Sequence, residues 1–531
     1  MKAQLNKAGI FSGIIYRIML IFLAIYPFAL TAANVWPLTE DGFGRISDCV
    51  LIWIFVLALL FFHITIFKSV PSKTTIQQDR WIVISLFLGA FLLRLIVATL
   101  LQVEPFSDFG SCYKYAINKP RNYNADYLAN FPYLGAYALT LKLLFHFVTA
   151  SVQNAQILDG LVTSCIPVFL YFAIKKMWNR SDIAVAAGAF YALHPGMIIY
   201  TAVTSCEHFS QFFLALFLLF LACFYRENQN KRRWIYAALS GIALGGVCIY
   251  KELYIILVPA LLMTFFCYEL LPALIDQFHN KRFDRKYLFA LCARTLVIVL
   301  VGTAVYQFGV AVVQKAIVGE TRSRNTSPAY TLAATVYGGL SPVGRGKYSA
   351  EIKDYMLSLD NSGLTDQEKT ALVWNKLLEE YRSDQEQLMP ILQEKFYEDW
   401  CREETYYYWT YHGSGNVIQG TRPGKLIFAL FPSLFWTMAS AVICIGLIAN
   451  VFRFNSESEN FKFFVVGIVF LFTLALILME AQARYKSNFM PAFSILYAWG
   501  LSSACSGTNI AVRRISKDFY ALKETIREMR K

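Results

Sequence analysis

The stretch Phe131-Pro-Tyr-Leu-Gly-Ala-Tyr-Ala-Leu-Thr-Leu-Lys-Leu-Leu-Phe-His-Phe-Val-Thr-Ala150 decides how this chain is threaded. It is apolar enough to be taken for a membrane span, and two features argue against that. A full crossing would leave Lys142 and His146 deep in lipid, at a cost of a few kcal/mol for the lysine alone. It would also invert every later basic linker, beginning with Lys175-Lys176-Met-Trp-Asn-Arg180, against the tendency of Lys and Arg to stay inside. We therefore read 131–150 as an interfacial helix on the outer membrane surface.

Upstream, Lys2 and Lys7 place the N-terminus inside, and two spans (11–33 and 49–67) flank an outer loop holding Glu40 and Asp41. Lys68, Lys73 and Arg80 then lie inside, and a third span, 81–103, delivers Asp108 to the outer face. Downstream, spans are expected at 156–174, 184–203, 209–225, 234–250 and 253–271, with a ninth ending near Ala316. Spans at 426–452, 463–478 and 489–506 complete a set of twelve, with both termini inside and Arg513, Arg514, Lys517 and Lys523 in a basic tail.

The 531-residue composition agrees: 56% of residues are hydrophobic and only 16% charged, which excludes a soluble globular chain. The net charge of +13 falls mainly in the inner linkers, so it reads as membrane anchoring and no nucleic-acid partner is expected. The 11 cysteines are scattered through apolar runs, with only Cys112, Cys206 and Cys401 in or beside outer segments, and no disulfide framework is inferred.

Residues 317–424 form one long outer segment. Thr365 and Glu368 make a capping box, with Trp374, Leu377, Leu378 and Tyr381 at helical spacing behind it. Leu388 to Trp400 reads as a second amphipathic helix, so the insert is expected to be an ordered, mainly helical lid. The domains are thus a two-span addition (1–80), a membrane core (81–316) with outer loop 104–130 and interfacial helix 131–150, the insert, the last spans (425–506) and the tail (507–531).

Ionisable residues from distant spans converge on the outer face: Asp108, Glu207, Lys251, Glu252, Glu480, Arg484 and Lys486. Lysines and arginines at such boundaries are often anchors, but short carboxylates cannot snorkel far and tend to face cavities. One carboxylate among several cations suits transfer of a sugar from a polyprenyl-phosphate carrier. The carboxylate takes the acceptor hydroxyl's proton and the cations stabilise the departing phosphate.

Ser107-Asp-Phe-Gly-Ser-Cys-Tyr113-Lys-Tyr-Ala116 resembles the Asp-containing first catalytic loop of the GT-C glycosyltransferases, and Phe131-Pro-Tyr-Leu their Pro-containing helix after it. The blocks Tyr191-Ala-Leu-His-Pro195 to Glu207, Arg232-Arg-Trp234 to Lys251, and Glu480-Ala-Gln-Ala-Arg484-Tyr485 to Pro491 are similar in the same order. Together they cover roughly 81–506 and resemble most the protein O-mannosyltransferase and aminoarabinose-transferase-like branch (glycosyltransferase family 39-like). Phe109 follows Asp108 where the mannosyltransferases proper carry Asp-Glu. The resemblance implies a GT-C-like all-α bundle of about twelve helices in the cell membrane, with its active site extracytoplasmic. It also implies a polyprenyl-phosphate-linked donor, undecaprenyl phosphate in a bacterium, and an inverting reaction. The acceptor, a glycan, lipid or protein, stays open.

In that frame Asp108 is the expected general base, with Glu104 and Asp126 as rivals from the same loop. Arg484, Tyr485 and Lys486 are the expected donor-phosphate ligands, and Lys251 a weaker one. Glu207 orients the acceptor, holds a cation or forms a salt bridge to Lys251; Tyr113 is placed with the acceptor, beside Tyr115, Tyr123 and Tyr127. His194 reads as a packed histidine, and Arg94 as pairing with an internal polar group or reaching the cleft. No metal or other cofactor is expected, although a divalent cation is compatible with the chemistry. Twelve spans also describe secondary transporters and flippases, against which the chain shows no internal repeat. A polymerase or ligase of lipid-linked glycans shares the same chemistry.

Overall fold

The computed structural model describes residues 2–34, 46–117, 125–279, 284–319, 327–360, 362–383, 387–403, 405–414, 420–452 and 459–506. Glu40, Asp41, Tyr123, Lys281, Arg282 and the basic tail lie outside the described residues. Those described are mainly helical, with no strand among them. The chain is an all-α, multi-pass membrane protein.

Ten described helices are long and apolar enough to span a bilayer. They are α1 (Ser12–Ala33), α2 (Ile46–Ser69), α3 (Ile76–Leu101), α7 (Val152–Trp178), α10 (Cys206–Arg226), α11 (Asn230–Tyr250), α12 (Tyr254–Phe278), α13 (Arg285–Val318), α19 (Arg422–Val451) and α20 (Asn460–Leu478). Between α3 and α7 lie the short α4 (Ser107–Ala116), α5 (Ala125–Asn130) and α6 (Pro132–Phe147). α6 has 16 residues, about 24 Å at 1.5 Å per residue, which is short of the hydrocarbon thickness.

Two of the twelve expected spans are not among those ten described helices. The one expected over 184–203 is broken into α8 (Ser181–Leu193) and α9 (Pro195–Tyr200). Pro195 has no N–H to continue the ladder and pushes His194 out of helical geometry. The carbonyls freed at the end of α8 are met by the buried Arg94 of α3, which donates to Tyr191 O and Ala192 O, each at 3.2 Å. Arg94 therefore stabilises the break and takes no part in the cleft. His194, fully buried, accepts the Met197 N–H and packs among Phe190, Phe435 and Trp436. The last expected span is α21, helical over 490–506 after a tight 3₁₀ turn, Ala483–Phe489.

α3, α7, α10, α11 and α13 pack in sequence, and α1, α12, α19 and α20 form the flank. The N-terminal pair is built in: α1 packs on α19 and α20, and Arg422 at the start of α19 bonds Asp48 of α2 at 2.5 Å.

The insert divides in two. α14 (Pro328–Leu340), α15 (Ala350–Asp360) and α16 (Asp366–Ser383) share a small core of their own, including Tyr330, Tyr337, Ile352, Val373 and Leu377. The capping box forms as expected, with Thr365 and Glu368 bonding each other's backbone N–H. Leu378, however, is 53% exposed, and Val373 takes the buried position in its place. α17 (Leu388–Phe396), which continues through a wider turn to Cys401, and α18 (Thr405–Ser414) belong to the membrane core instead, through Trp400 and Tyr406.

Candidate active site

Asp108 enters from a strained turn. Ser107 has φ +52°, a left-handed backbone that costs a non-glycine residue about 1–2 kcal/mol. It opens α4 directly, and Asp108 lies in the first turn, where the helix dipole favours a negative charge. Its side chain is 29% exposed. One carboxylate oxygen accepts the Tyr127 hydroxyl at 2.8 Å; the other lies 3.9 Å from Arg484 Nη2. Burial and the Asp108 charge both push the Tyr127 phenol up, so it remains a proton-bearing donor.

Of the loop tyrosines named from sequence, Tyr127 is the one that bonds Asp108 among the described residues. Asp108 and Tyr113 are five residues apart on one helix, roughly 140° round its axis. Tyr113 instead packs edge-on against Phe145, with ring centroids 5.7 Å apart. Glu104 and Asp126, the rival bases, are exposed.

Arg484 lies in the 3₁₀ turn before α21. Its Nε donates to Gln482 Oε1 at 2.8 Å, and its guanidinium carbon is 4.6 Å from the Trp409 ring centroid and 5.7 Å from that of Phe109. Burial disfavours its charge, but Glu207 leads a group with Tyr200, Tyr485 and Asp108 that outweighs this and raises its pKa. Lys486 goes elsewhere, contrary to expectation. At three residues per turn, positions 484 and 486 point about 120° apart. The Lys486 ammonium is wholly buried, 2.9 Å from Glu403, and donates to the carbonyls of Trp400 and Arg402.

Glu207, at the start of α10, is 1% exposed and fully engaged. It accepts Tyr200 OH at 2.5 Å, Lys251 Nζ at 3.0 Å and Ser487 Oγ at 3.4 Å. Of the roles open to it, the geometry gives the salt bridge to Lys251. That ammonium also faces the Tyr133 and Tyr485 rings, at 5.2 and 5.0 Å. Burial opposes the Lys251 charge, and Glu207 and Tyr485 together more than offset it, so the group stays protonated. Glu252 lies apart, accepting Tyr306 OH at 3.3 Å.

Several structural partners were not singled out from sequence. Asp159, buried in α7, accepts Tyr137 OH at 2.7 Å and Ser205 N–H at 3.2 Å, fixing the turn that presents Glu207. Glu403 neutralises Lys486, Gln482 holds Arg484, and Trp409 lies between Arg484 and Phe106 of the Asp108 loop, its ring stacked at 5.0 Å on the latter. The aromatic run Tyr406-Tyr-Tyr-Trp409-Thr-Tyr411 was the available signal for the last. Among the described residues no group of three His, Cys, Asp or Glu is placed to hold a metal ion.

Residues 132–313, about a third of the chain, match the family model described as Dolichyl-phosphate-mannose-protein mannosyltransferase. The match runs from α6 into α13 and takes in Glu207 and Lys251; it supports a GT-C superfamily glycosyltransferase. Among solved structures, ArnT from Cupriavidus metallidurans bound to undecaprenyl phosphate is similar at 12% identity and a TM-score of 0.31. That likeness covers 81% of this chain and 79% of the other. No curated protein matches the chain.

Proposed function

We propose that the protein transfers a sugar from a polyprenyl-phosphate-linked donor to an acceptor hydroxyl on the extracytoplasmic face, with Asp108 as general base. The observation that carries this is the loose pair itself. Asp108 is partly exposed, oriented by Tyr127, and 3.9 Å from an arginine that holds its charge. In the reaction, the acceptor O–H proton passes to Asp108 as the oxygen forms its bond to the anomeric carbon. The bond from that carbon to the phosphate oxygen breaks, and its electron pair leaves with the polyprenyl phosphate. Arg484 is the ligand for that phosphate, its guanidinium suited to forked contact with two oxygens. Lys251, held by Glu207, adds a second positive charge nearby, and Tyr485 lines the same side. Attack from the face opposite the leaving group inverts the anomeric centre. The extracytoplasmic placement rests on the basic linkers, the polyprenyl donor on the sequence resemblance and the family match, and inversion on the resemblance alone.

Asp108→Asn keeps the shape and removes the base. Transfer from a synthetic polyprenyl-phosphate sugar should fall roughly 10²- to 10⁴-fold, with unchanged expression and melting temperature. Glu104→Gln and Asp126→Asn should retain activity. Full turnover by Asp108→Asn would remove Asp108 from the role.

A further inference from the structure

The insert grips the short segment that carries Arg484 from several directions. The Lys395 ammonium of α17 donates to Gly339 O at 2.7 Å, Ile477 O at 3.0 Å and Met479 O, tying two parts of the insert to the end of α20. Ala481 N–H donates to Gly346 O of the insert at 2.7 Å. Asp399, one turn on from Lys395, accepts Gln482 N–H at 3.0 Å, and the Gln482 side chain in turn accepts Arg484 Nε. From α18, Trp409 lies 4.6 Å from the guanidinium carbon while its ring stacks on Phe106.

An arginine side chain has a large rotamer freedom to lose, so fixing it ahead of binding raises affinity for a ligand that needs one orientation. Here Gln482 occupies the Nε edge and Trp409 the ring-facing side, and Nη2 is the nitrogen within 3.9 Å of Asp108. We propose that the insert is the positioning element for Arg484, with Trp409 and Gln482 as positioning residues that present its Nη edge to a lipid-linked phosphate. The proposal rests on the phosphate-binding role given to Arg484 above. It assigns the insert a part in donor binding, separate from any acceptor it covers.

The test uses the purified full-length protein in detergent, titrated with farnesyl phosphate as the probe and with farnesol as its uncharged control. Trp409→Ala and Gln482→Ala should each weaken farnesyl phosphate binding, the former roughly tenfold, with farnesol unaffected. Trp409→Phe, which keeps an aromatic face, should restore most of it. In transfer assays the donor KM should rise more than kcat falls. A purely structural role would lower the melting temperature of Trp409→Ala without this split. Gln482→Ala and Trp409→Phe carry the test should Trp409→Ala fold poorly. Parent-like binding by Trp409→Ala and Gln482→Ala, alongside lost binding in Arg484→Ala, would overturn the proposal and leave the phosphate reading standing. Parent-like binding by Arg484→Ala would overturn that reading itself, and the proposal with it.

Discussion

Arg484 and Lys486 leave the same seven-residue turn, and each has a carboxylate beside it, yet the two pairs are built differently. Lys486 and Glu403 are 2.9 Å apart with neither side chain exposed, and two backbone carbonyls take further ammonium hydrogens. Arg484 and Asp108 stand 3.9 Å apart, with Asp108 partly open to its surroundings. The closed pair has no vacant direction from which a substrate could approach. In the open pair, the separation exceeds a hydrogen bond, and both groups keep unspent capacity. Burial pushes the Glu403 carboxyl up and Lys486 pulls it back, which makes each member depend on the other. Charge type alone therefore says little about function; how completely each charge is already satisfied says more.

The sharpest way to break this contrast is to remove one charge from each pair. Asp108→Asn should end transfer and spare the fold. Lys486→Met should do the reverse, because an orphaned buried charge costs about 3–5 kcal/mol. That loss is read as a large fall in melting temperature in detergent. The double variant Lys486→Met with Glu403→Leu should recover much of it, since the uncompensated charge is then gone. A Lys486→Met protein that melts like the parent but no longer transfers sugar would move Lys486 into the site and erase the distinction.

A smaller effect tests how the open pair is supported. A Cβ on Gly339 would lie 2.1 Å from Leu478 O and 2.5 Å from the Met479 carbonyl carbon, so the insert meets the end of α20 backbone to backbone there. At Gly338, the neighbouring position, a Cβ meets nothing within 4 Å. Gly339→Ala should therefore destabilise the docked insert by about 1–3 kcal/mol, as overpacked contacts do, while Gly338→Ala should be close to neutral. Hydrogen exchange over residues 477–484 would register the difference. Equal protection in the two variants would mean that the insert does not hold this segment.

The helical, membrane-spanning class was legible because apolar runs of span length and the basic linkers between them are strong, local signals. So was the capping box at Thr365. The break at Pro195 was visible as a proline, but its consequence depends on Arg94, about a hundred residues away. No local pattern announces that contact. The site was legible as a set of ionisable residues and, for Glu207 with Lys251, as a pair; the Lys486–Glu403 pair was not. Asp108, Glu207, Lys251 and Arg484 could be named from their positions at span ends. Helical phase inside a 3₁₀ turn, which sends Lys486 to Glu403, could not be read before that turn was known to be 3₁₀. That Tyr127, of the tyrosines named, bonds Asp108 depends on a contact 19 residues apart in the chain, which no local pattern announces.

That contact supplies the finest test of the open pair. Tyr127 gives Asp108 a short hydrogen bond, at 2.8 Å, and comes from α5, a six-residue helix beyond the end of α4. Tyr127→Phe keeps the ring against Phe131, where the centroids are 4.8 Å apart, and deletes only the hydroxyl. A hydrogen bond to a charged group contributes about 1.5 kcal/mol or somewhat more, so kcat should drop roughly tenfold, far less than in Asp108→Asn. Tyr113→Phe, on the other face of α4, should leave kcat unchanged. If the hydroxyl only braces the loop, Tyr127→Phe will lower stability and leave kcat alone; if it orients the base, kcat will fall at unchanged melting temperature. A drop in kcat for Tyr113→Phe with none for Tyr127→Phe would show that Asp108 works in another rotamer than the one seen, and that the pair opens further during turnover.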